Sequence, residues 1–470
     1  MWIVLATALF LLWVGGSAVV IILQRRSAAA TLAWLFALMF LPIIGLLIYR
    51  IIGPLRLERR KLKLGTSKRG VREAMRALAA SDRDDAVEHL QLARVGITVG
   101  EDGPLRADDL TLYVDGASTY AAILEAVAAA QHHIHLEYYI WEPGKIGVQL
   151  RDALIERARA GVAVRMVVDG TGSMKLKKKF MAPLKAAGVE VAWFNPVRLV
   201  SLRMRRPDFR THRKIVVCDG RVGFTGGINV ADVHTALYCK DCWRDTHLRI
   251  TGAAVWSLQR LFLEDWYYAS EKLCPIDAMI FPAPAAQGQH LVQVLGSGPD
   301  SSAFAIHKVY FTAFNQATRR LWLTTPYFVP DEALLTSLIT AGLRKVDVRL
   351  IVPKKGDSRL VDLAARSYFP ELLAAGVRVY EYDKAFIHAK TAVCDDDMAI
   401  VGTANLDNRS FKLNFEVAAV LFGETHNQTL AQAFTTDLEG CRELTAIEME
   451  QQAFWPRFGQ ASARLLSPLL

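Results

Sequence analysis

Two histidines in this 470-residue chain sit in the same local setting. His212, Lys214, Asp219, Gly226 and Asn229 recur as His388, Lys390, Asp395, Gly402 and Asn405, each 176 residues further on. Residues two apart in a strand share a face, so each His and its Lys project together. A lysine beside an imidazole suits an anionic phosphate oxygen next to an attacking nitrogen. The glycines permit a turn and close backbone approach, and each Asn adds an amide donor. Two such copies around one phosphate would supply a nucleophile, a general acid and a set of anion donors. One His-x-Lys is a weak signal. The whole pattern twice, within matched repeats, is a specific one.

The elements that must position these residues are also written twice. From about Thr111, short apolar runs alternate with helical segments. Ile134–Ile140 and Val162–Val168 read as strands, and Ala121–Ala130 and Val148–Arg159 as helices. That rhythm predicts an α/β fold with a largely parallel sheet. Gly161–Val168 is echoed by Lys345–Val352, Ala186–Val191 by Ala374–Val379, and Thr211–Asp219 by Ile387–Asp395. The offset falls from 188 to 176 between the last two landmarks, which puts 12 extra residues in the basic stretch Val197–Arg210. Repeats this long predict a duplicated domain rather than a solenoid. Two halves, 109–280 and 290–470, would meet about a pseudo-twofold with one shared active site. Phe281–Gln289, rich in Pro and small residues, is the expected linker.

The composition is 52% hydrophobic and 22% charged, with a formal net charge of +9, which excludes a disordered chain. The charge raises the question of nucleic acid or anionic membrane as partner. Its location answers for the membrane. Trp2–Leu23 and Ser27–Tyr49 are uncharged runs of 22 and 23 residues, each long enough for a spanning helix. They predict a membrane anchor over 1–49, with two transmembrane helices at 2–23 and 27–49. A basic juxtamembrane segment over 50–108 would follow. Arg50 to Arg76 holds ten basic residues against two acidic, or +8, and Arg25 and Arg26 add +2, leaving about −1 elsewhere. Such clusters stay cytoplasmic and attract anionic headgroups, so no nucleic-acid partner is expected. Lys175, Lys177, Lys178 and Lys179, with Arg203, Arg205, Arg206 and Arg210, read as a solvated face or as a rim for anionic headgroups. His132, His133 and His135 lack the spacing of a helical metal pair and read as structural. Of six cysteines, Cys218 and Cys394 read as buried fillers, and Cys239 and Cys242 form a lone C-x-x-C. No metal site is expected.

The paired motifs resemble the HKD motifs of the phospholipase D superfamily. Trp243-Arg244-Asp245-Thr-His247, Leu261 to Trp266, Ser297-Gly298-Pro299, Thr325 to Asp331, Asn405 to Glu416 and the membrane segment Leu32 to Tyr49 are similar to bacterial cardiolipin synthases. Thr211 departs from the Asn expected before the first histidine, but it lies on the other face of the strand. The resemblance implies displacement through a phosphohistidine. One phosphatidylglycerol gives up its glycerol, and a second takes the phosphatidyl group to make cardiolipin. It implies His212 as nucleophile and His388 as acid/base, although the residues alone do not separate them. Lys214 and Lys390 would neutralise the phosphate, with no cofactor or metal. Asp245 and Glu416 would orient the imidazoles. Asp219 and Asp395 belong to the catalytic signature but read better as braces of strand and turn. The implied setting is the bacterial cytoplasmic membrane, multi-pass, with the catalytic region in the cytoplasm and an oligomer allowed. Hydrolysis as a phospholipase D or nuclease, and a catalytically dead scaffold, are the competing readings.

Overall fold

The computed structural model describes residues 1–23, most of 28–49, Val71, Glu73, Met75, 91–196, 209–283, 288–301 and 303–470. The chain divides into two compact units. The N-terminal helices belong to one, and both sheets described next belong to the other.

One sheet has seven strands, in the spatial order Leu110–Tyr113, His247–Thr251, Val222–Gly226, Lys214–Cys218, His133–Tyr138, Ala163–Asp169 and Glu190–Phe194. The other runs His290–Ser297, Asn414–Phe422, Met398–Gly402, Thr391–Cys394, Arg320–Thr324, Asp347–Pro353 and Arg378–Tyr382 within a larger path. Strand for strand the order is the same, so the duplication seen in the sequence is a duplication of topology. His133–Tyr138 and Lys214–Cys218 are buried along their whole length. The Ile-Val-Val run of Lys214–Cys218 suits a strand covered on both faces.

The sheets do not keep separate cores. Ile215, Val217, Leu248 and Ile250 of one share a cluster with Val393, Val401, Val417 and Leu421 of the other. Helix Val255–Ser270 reinforces this seam, with every residue from Val255 to Trp266 buried. A helix buried all round belongs inside a large core. Of the charges it carries there, Arg260 is matched by Glu101, Asp102 and the helix's own Glu264, and Asp265 by Arg213. The backbone joins the halves too. Arg210 and Thr211 pair in parallel with Asn414 and Phe415, and Arg244 forms a parallel bridge with Ile387.

Asp219 and Asp395 are not at the end of the strands that carries the lysines. Asp219 lies about 17 Å from Lys214 along the strand, at about 3.4 Å per residue. Both aspartates adopt left-handed backbone, with φ of 54° and 47°, a conformation that Asp tolerates better than most residues. Asp219 accepts the backbone N–H groups of Gln131, His132 and His133. Asp395 accepts those of Thr318, Arg319 and Arg320. Each ties the entry of the neighbouring central strand. These contacts support the reading of the two aspartates as braces of strand and turn.

The N-terminal unit holds helices Trp2–Ile22 and Ala28–Phe40. Ile21, Leu38 and Tyr49 pack with Trp13, Trp34 and Leu35 between them. Among the described residues no helix is long and apolar enough to cross a membrane. The first helix covers 21 residues but several of its side chains lie outside the described set. The second, at 13 residues, spans about 20 Å against a hydrocarbon core of about 30 Å. The basic segment from Arg50 to Arg76 lies outside the described residues except for Val71, Glu73 and Met75, as do Arg203, Arg205 and Arg206. Arg210 does not serve as a rim. It is buried, donates to the Asn195 carbonyl at 2.9 Å and lies 3.6 Å from Asp169. Lys177, Lys178 and Lys179 are exposed.

The brace has a measurable consequence. Asp395→Ala leaves three backbone donors without their acceptor and is expected to cost about 1–3 kcal/mol, read as a lowered Tm. Its rate per folded molecule should fall far less than that of His388→Ala. Equal losses of rate would place Asp395 in the chemistry instead.

Candidate active site

His212 follows the two-residue strand Arg210–Thr211 and precedes the strand that begins at Lys214. His388 holds the same place before Thr391–Cys394. The His212 N–H donates to the Phe415 carbonyl at 2.8 Å, and the His388 N–H to the Arg244 carbonyl at 2.7 Å. Each acceptor precedes a carboxylate residue, Glu416 or Asp245. The backbone therefore sets the side-chain pairing, and the pairing crosses between the halves. His212 Nδ1 lies 3.0 Å from Glu416 Oε2. His388 Nδ1 lies 2.7 Å from Asp245 Oδ2. Each half thus supplies the carboxylate that orients the other half's imidazole. With Nδ1 committed to a carboxylate, Nε2 is the nitrogen left to react.

Both carboxylates are held by further donors. Thr403 Oγ1 donates to Glu416 Oε2 at 2.5 Å, and Asn414 Nδ2 to Oε1 at 3.2 Å. The Thr246 N–H donates to Asp245 Oδ1 at 2.7 Å, and Arg244 grips the Asp245 carbonyl and Asp437. Gly227 is needed for this approach, because a Cβ there would fall 2.0 Å from Asp245 Oδ1. Lys214 Nζ donates to the His212 carbonyl at 2.7 Å, and Lys390 Nζ to the His388 carbonyl at 2.5 Å. Each Lys ammonium thus rests on the backbone of its own histidine. Arg213, between them, turns away to Asp265 and the Glu416 carbonyl. Thr211, on that side too, bonds Glu137.

The electrostatics follow from burial. Burial pushes His212 down to about 4, although Glu416 pulls the other way. Burial, then the two lysines, holds His388 well below its ordinary value. Burial tends to raise Glu416, but the neighbouring His212 and Lys214 leave it below the usual carboxylate range. Burial and then Lys390 bring Lys214 down to about 7, and burial brings Lys390 down to about 8. The site therefore favours neutral imidazoles against an ionised Glu416, with lysines poised to lose a proton near neutrality.

Asn229 and Asn405 are buried beside these groups. Asn229 Oδ1 accepts the Ile140 N–H at 3.3 Å, so that oxygen serves the fold. Asn405 Oδ1 is buried without a hydrogen-bond partner. One residue of the site escaped the sequence reading: His234. Its Nε2 lies 3.4 Å from the Asn229 backbone nitrogen and its Nδ1 3.6 Å from Asp245 Oδ2. Asp245 thus stands between two imidazoles. In the second half the position 176 residues on is Ser410, whose Oγ accepts the Asn405 N–H at 3.1 Å. A lone His with no His counterpart carried no repeat signal. Ligand atoms of His234, Asp245 and His388 lie within 4.8 Å of one another, a spacing that could hold a metal ion. The Asn229 N–H argues against that use of His234. It requires a lone pair on Nε2, which leaves the proton on Nδ1, 3.6 Å from Asp245 Oδ2 and without a hydrogen-bond partner.

Other expected residues fall elsewhere. His133 and His135 are buried and bracket Gln259, at 3.1 and 2.7 Å, as structural residues. Cys218 and Cys394 are buried free thiols, and Cys239 and Cys242 are half-buried and free.

A family model described as cardiolipin synthase, PLD-like domain, matches residues 123–255 and again 310–438. A model described as phospholipase D-nuclease N-terminal matches residues 11–54. A cardiolipin synthase of Geobacillus kaustophilus is 42% identical over 462 residues, covering 96% of this chain and 91% of that one. Cardiolipin synthase 1 of Bacillus cereus is 38% identical, covering 98% and 93%. In fold, the chain is similar to a phosphatidylserine synthase of Haemophilus influenzae, with a TM-score of 0.63 at 15% identity, covering 81% of this chain and all of that one.

Two measurements test this geometry. Glu416→Gln keeps the shape but removes the charge that fixes the His212 tautomer. It is expected to lower kcat on the order of 10³–10⁴-fold with the fold intact. The second is the pH profile of kcat/KM, which reports the free enzyme. Lys214 and Lys390 are cations below their pKa values of about 7 and 8 and lose that charge as pH rises. The rate on an anionic phosphodiester should therefore decline from about pH 7 upward. A profile flat to pH 9 would remove the lysines as counter-charges.

Proposed function

The chain belongs to the family of phospholipase D-like cardiolipin synthases, and from that membership we propose that it converts two phosphatidylglycerol molecules into cardiolipin and glycerol. The observation that carries the reading is the crossed pair: two buried imidazoles, each backed by the other half's carboxylate, with a lysine beside each. In the proposed first step His212 Nε2 attacks the phosphorus of one phosphatidylglycerol. The phosphorus–oxygen bond to the head-group glycerol breaks. His388, protonated at Nε2 when the anionic substrate is bound, gives its proton to the departing oxygen. A phosphatidyl-histidine and free glycerol result. In the second step His388 takes the proton from a head-group hydroxyl of another phosphatidylglycerol. That oxygen attacks the phosphorus, the bond to His212 breaks, and cardiolipin leaves.

Each named residue has a proposed task. Lys214 and Lys390 neutralise the non-bridging phosphate oxygens. Glu416 and Asp245 fix the imidazole tautomers. Asn405 and Asn229 offer amide groups to the phosphate or to the loops beside it. The geometry of the two histidines is close to symmetric, so the choice of His212 as nucleophile rests on the family resemblance. We further propose that the N-terminal helices form a hairpin in the bacterial cytoplasmic membrane, with the catalytic unit in the cytoplasm. The uncharged runs over 2–23 and 27–49 and the +8 from Arg50 to Arg76 support that orientation.

The test uses purified, detergent-solubilised full chain and phosphatidylglycerol, with the lipids resolved afterwards. Cardiolipin with an equal amount of free glycerol is the expected result. Phosphatidic acid alone would favour the hydrolase reading and sink this one. His212→Ala and His388→Ala should each abolish cardiolipin formation. A substrate whose leaving group needs no proton, such as a nitrophenyl phosphodiester, should still release its phenolate in one burst with His388→Ala and not with His212→Ala. The reverse pattern would exchange the two roles.

A further inference from the structure

The helix Phe454–Arg464 is pinned at one end and projects at the other. Near its C-terminal end Gln460 and Ala463 are buried. Arg464 sits over the Tyr368 ring at 4.3 Å and pairs with Glu371 at 2.5 Å. Its first turn has no such cover. Residues 453–458 are all exposed, with Phe454 at 67%, Trp455 at 75% and Phe458 at 56%. The three rings touch one another, with centroids 5.2, 5.9 and 6.2 Å apart. They form one aromatic wedge rather than scattered side chains. Arg457 is exposed among them, and residues 451–470 contain two arginines and no acidic residue.

We propose that this wedge is an interfacial anchor by which the catalytic unit seats on an anionic bilayer surface. The inference rests on the cardiolipin synthase reading for its choice of partner. Trp and Phe side chains beside Arg are suited to the boundary between headgroups and acyl chains. The positive charge matches the anionic lipid that is the proposed substrate. Area argues against a protein partner. At 150–250 Å² per aromatic side chain, the exposed parts of the three rings amount to on the order of 400 Å². A stable protein interface needs about 800 Å² from each partner. A bilayer makes no such demand for a matching surface.

The position of the helix connects the wedge to the chemistry. It packs on helix Arg359–Arg366. That helix begins two residues after Asp357, whose carboxylate accepts the Tyr327 hydroxyl at 2.8 Å and whose charge reaches Lys390. The same layer that meets the membrane would therefore hold the loop beside the phosphate site. A lipid substrate could then enter without leaving the surface.

The test compares two presentations of one substrate. Full chain carrying Phe454→Ser, Trp455→Ser and Phe458→Ser is reconstituted in phosphatidylglycerol vesicles, and separately assayed on phosphatidylglycerol dispersed in detergent micelles. The variant should lose at least tenfold in kcat/KM on vesicles and stay within twofold of wild type in micelles, with an unchanged Tm. In parallel, the emission lost in Trp455→Phe should be quenched by brominated acyl chains in the wild type. Equal vesicle rates for the variant and wild type, or no quenching of that emission, would overturn the proposal. So would a wild-type dimer that the triple substitution converts to monomer with loss of rate in both assays, which would make the patch a contact between copies. If the wild type makes no cardiolipin in either presentation, the reading of function has failed. The quenching, which needs no turnover, then decides the anchor by itself.

Discussion

Everything at the candidate site depends on the exchange of carboxylates between the halves. A buried ionised carboxylate is costly unless it is paired and hydrogen-bonded. Glu416 is fully buried and meets His212, Thr403 and Asn414. Separate the halves and Glu416 loses the imidazole, while His212 loses the group that fixes its tautomer. The same holds for Asp245 and His388. The two short parallel pairings, Thr211 with Phe415 and Arg244 with Ile387, make the arrangement rigid, because they lock backbone register one residue from each reacting pair. A neutral core shared across the seam then supplies the free energy that holds these charges in place. Fold and site are in this sense one object: neither sheet alone contains an oriented imidazole.

Much of this was legible in the sequence, and the part that was not has physical reasons. The repeated His, Lys and Asn residues could be found because identical chemistry was copied at a constant offset. The α/β order could be found because buried strands need apolar runs. The carboxylates could be named by resemblance, but not their crossing. Asp245 and Glu416 lie 33 and 28 residues after the histidine of their own half, and chain distance carries no information about which half each one faces. Asp219 and Asp395 share the motif because they share the strand, whose two ends do different work. The turn at Cys218-Asp219-Gly220, where Asp must adopt positive φ, was the available signal for a brace. His234 breaks the repeat, with Ser410 at the equivalent position, so the repeated pattern does not mark it. Arg210 looked like part of a basic surface because its neighbours are basic, whereas Asn195 and Asp169 hold it inside.

The small asymmetries between the halves bear on how one histidine can become an acid while the other stays a base. Glu416 is supported by a hydroxyl and an amide, Thr403 and Asn414, which stabilise its charge without competing for a proton. Asp245 instead faces a second imidazole, His234, held down to about 3 mainly by burial. The Trp243 ring lies 5.0 Å from His234 and 5.2 Å from His388, between centroids. The His388 side is thus more enclosed by rings, and the His212 side more by hydrogen-bonding groups and Tyr139 at 5.0 Å. The environments that meet the two reactive nitrogens are different even though the backbone frames match.

Charge balance explains how a site with neutral imidazoles can begin an acid-dependent reaction. Counted at formal charges, Lys214 and Lys390 offset Glu416 and Asp245, so the empty site has little reason to take up another proton. Burial then keeps both histidines uncharged. A phosphodiester brings one negative charge into this balanced, desolvated space. The lysines respond first, since values near 7 and 8 leave room for them to be held more firmly protonated. The remaining favourable place for a proton is an imidazole whose far nitrogen already rests on a carboxylate, since the cation is then paired on both sides. Substrate binding would in this way create the general acid it requires, and loss of the head-group alkoxide would consume it. In the proposed sequence of steps the acyl-bearing phosphate would stay anionic on His212, so the counter-charge from the lysines would remain useful while a neutral His388 accepts the proton of the second alcohol.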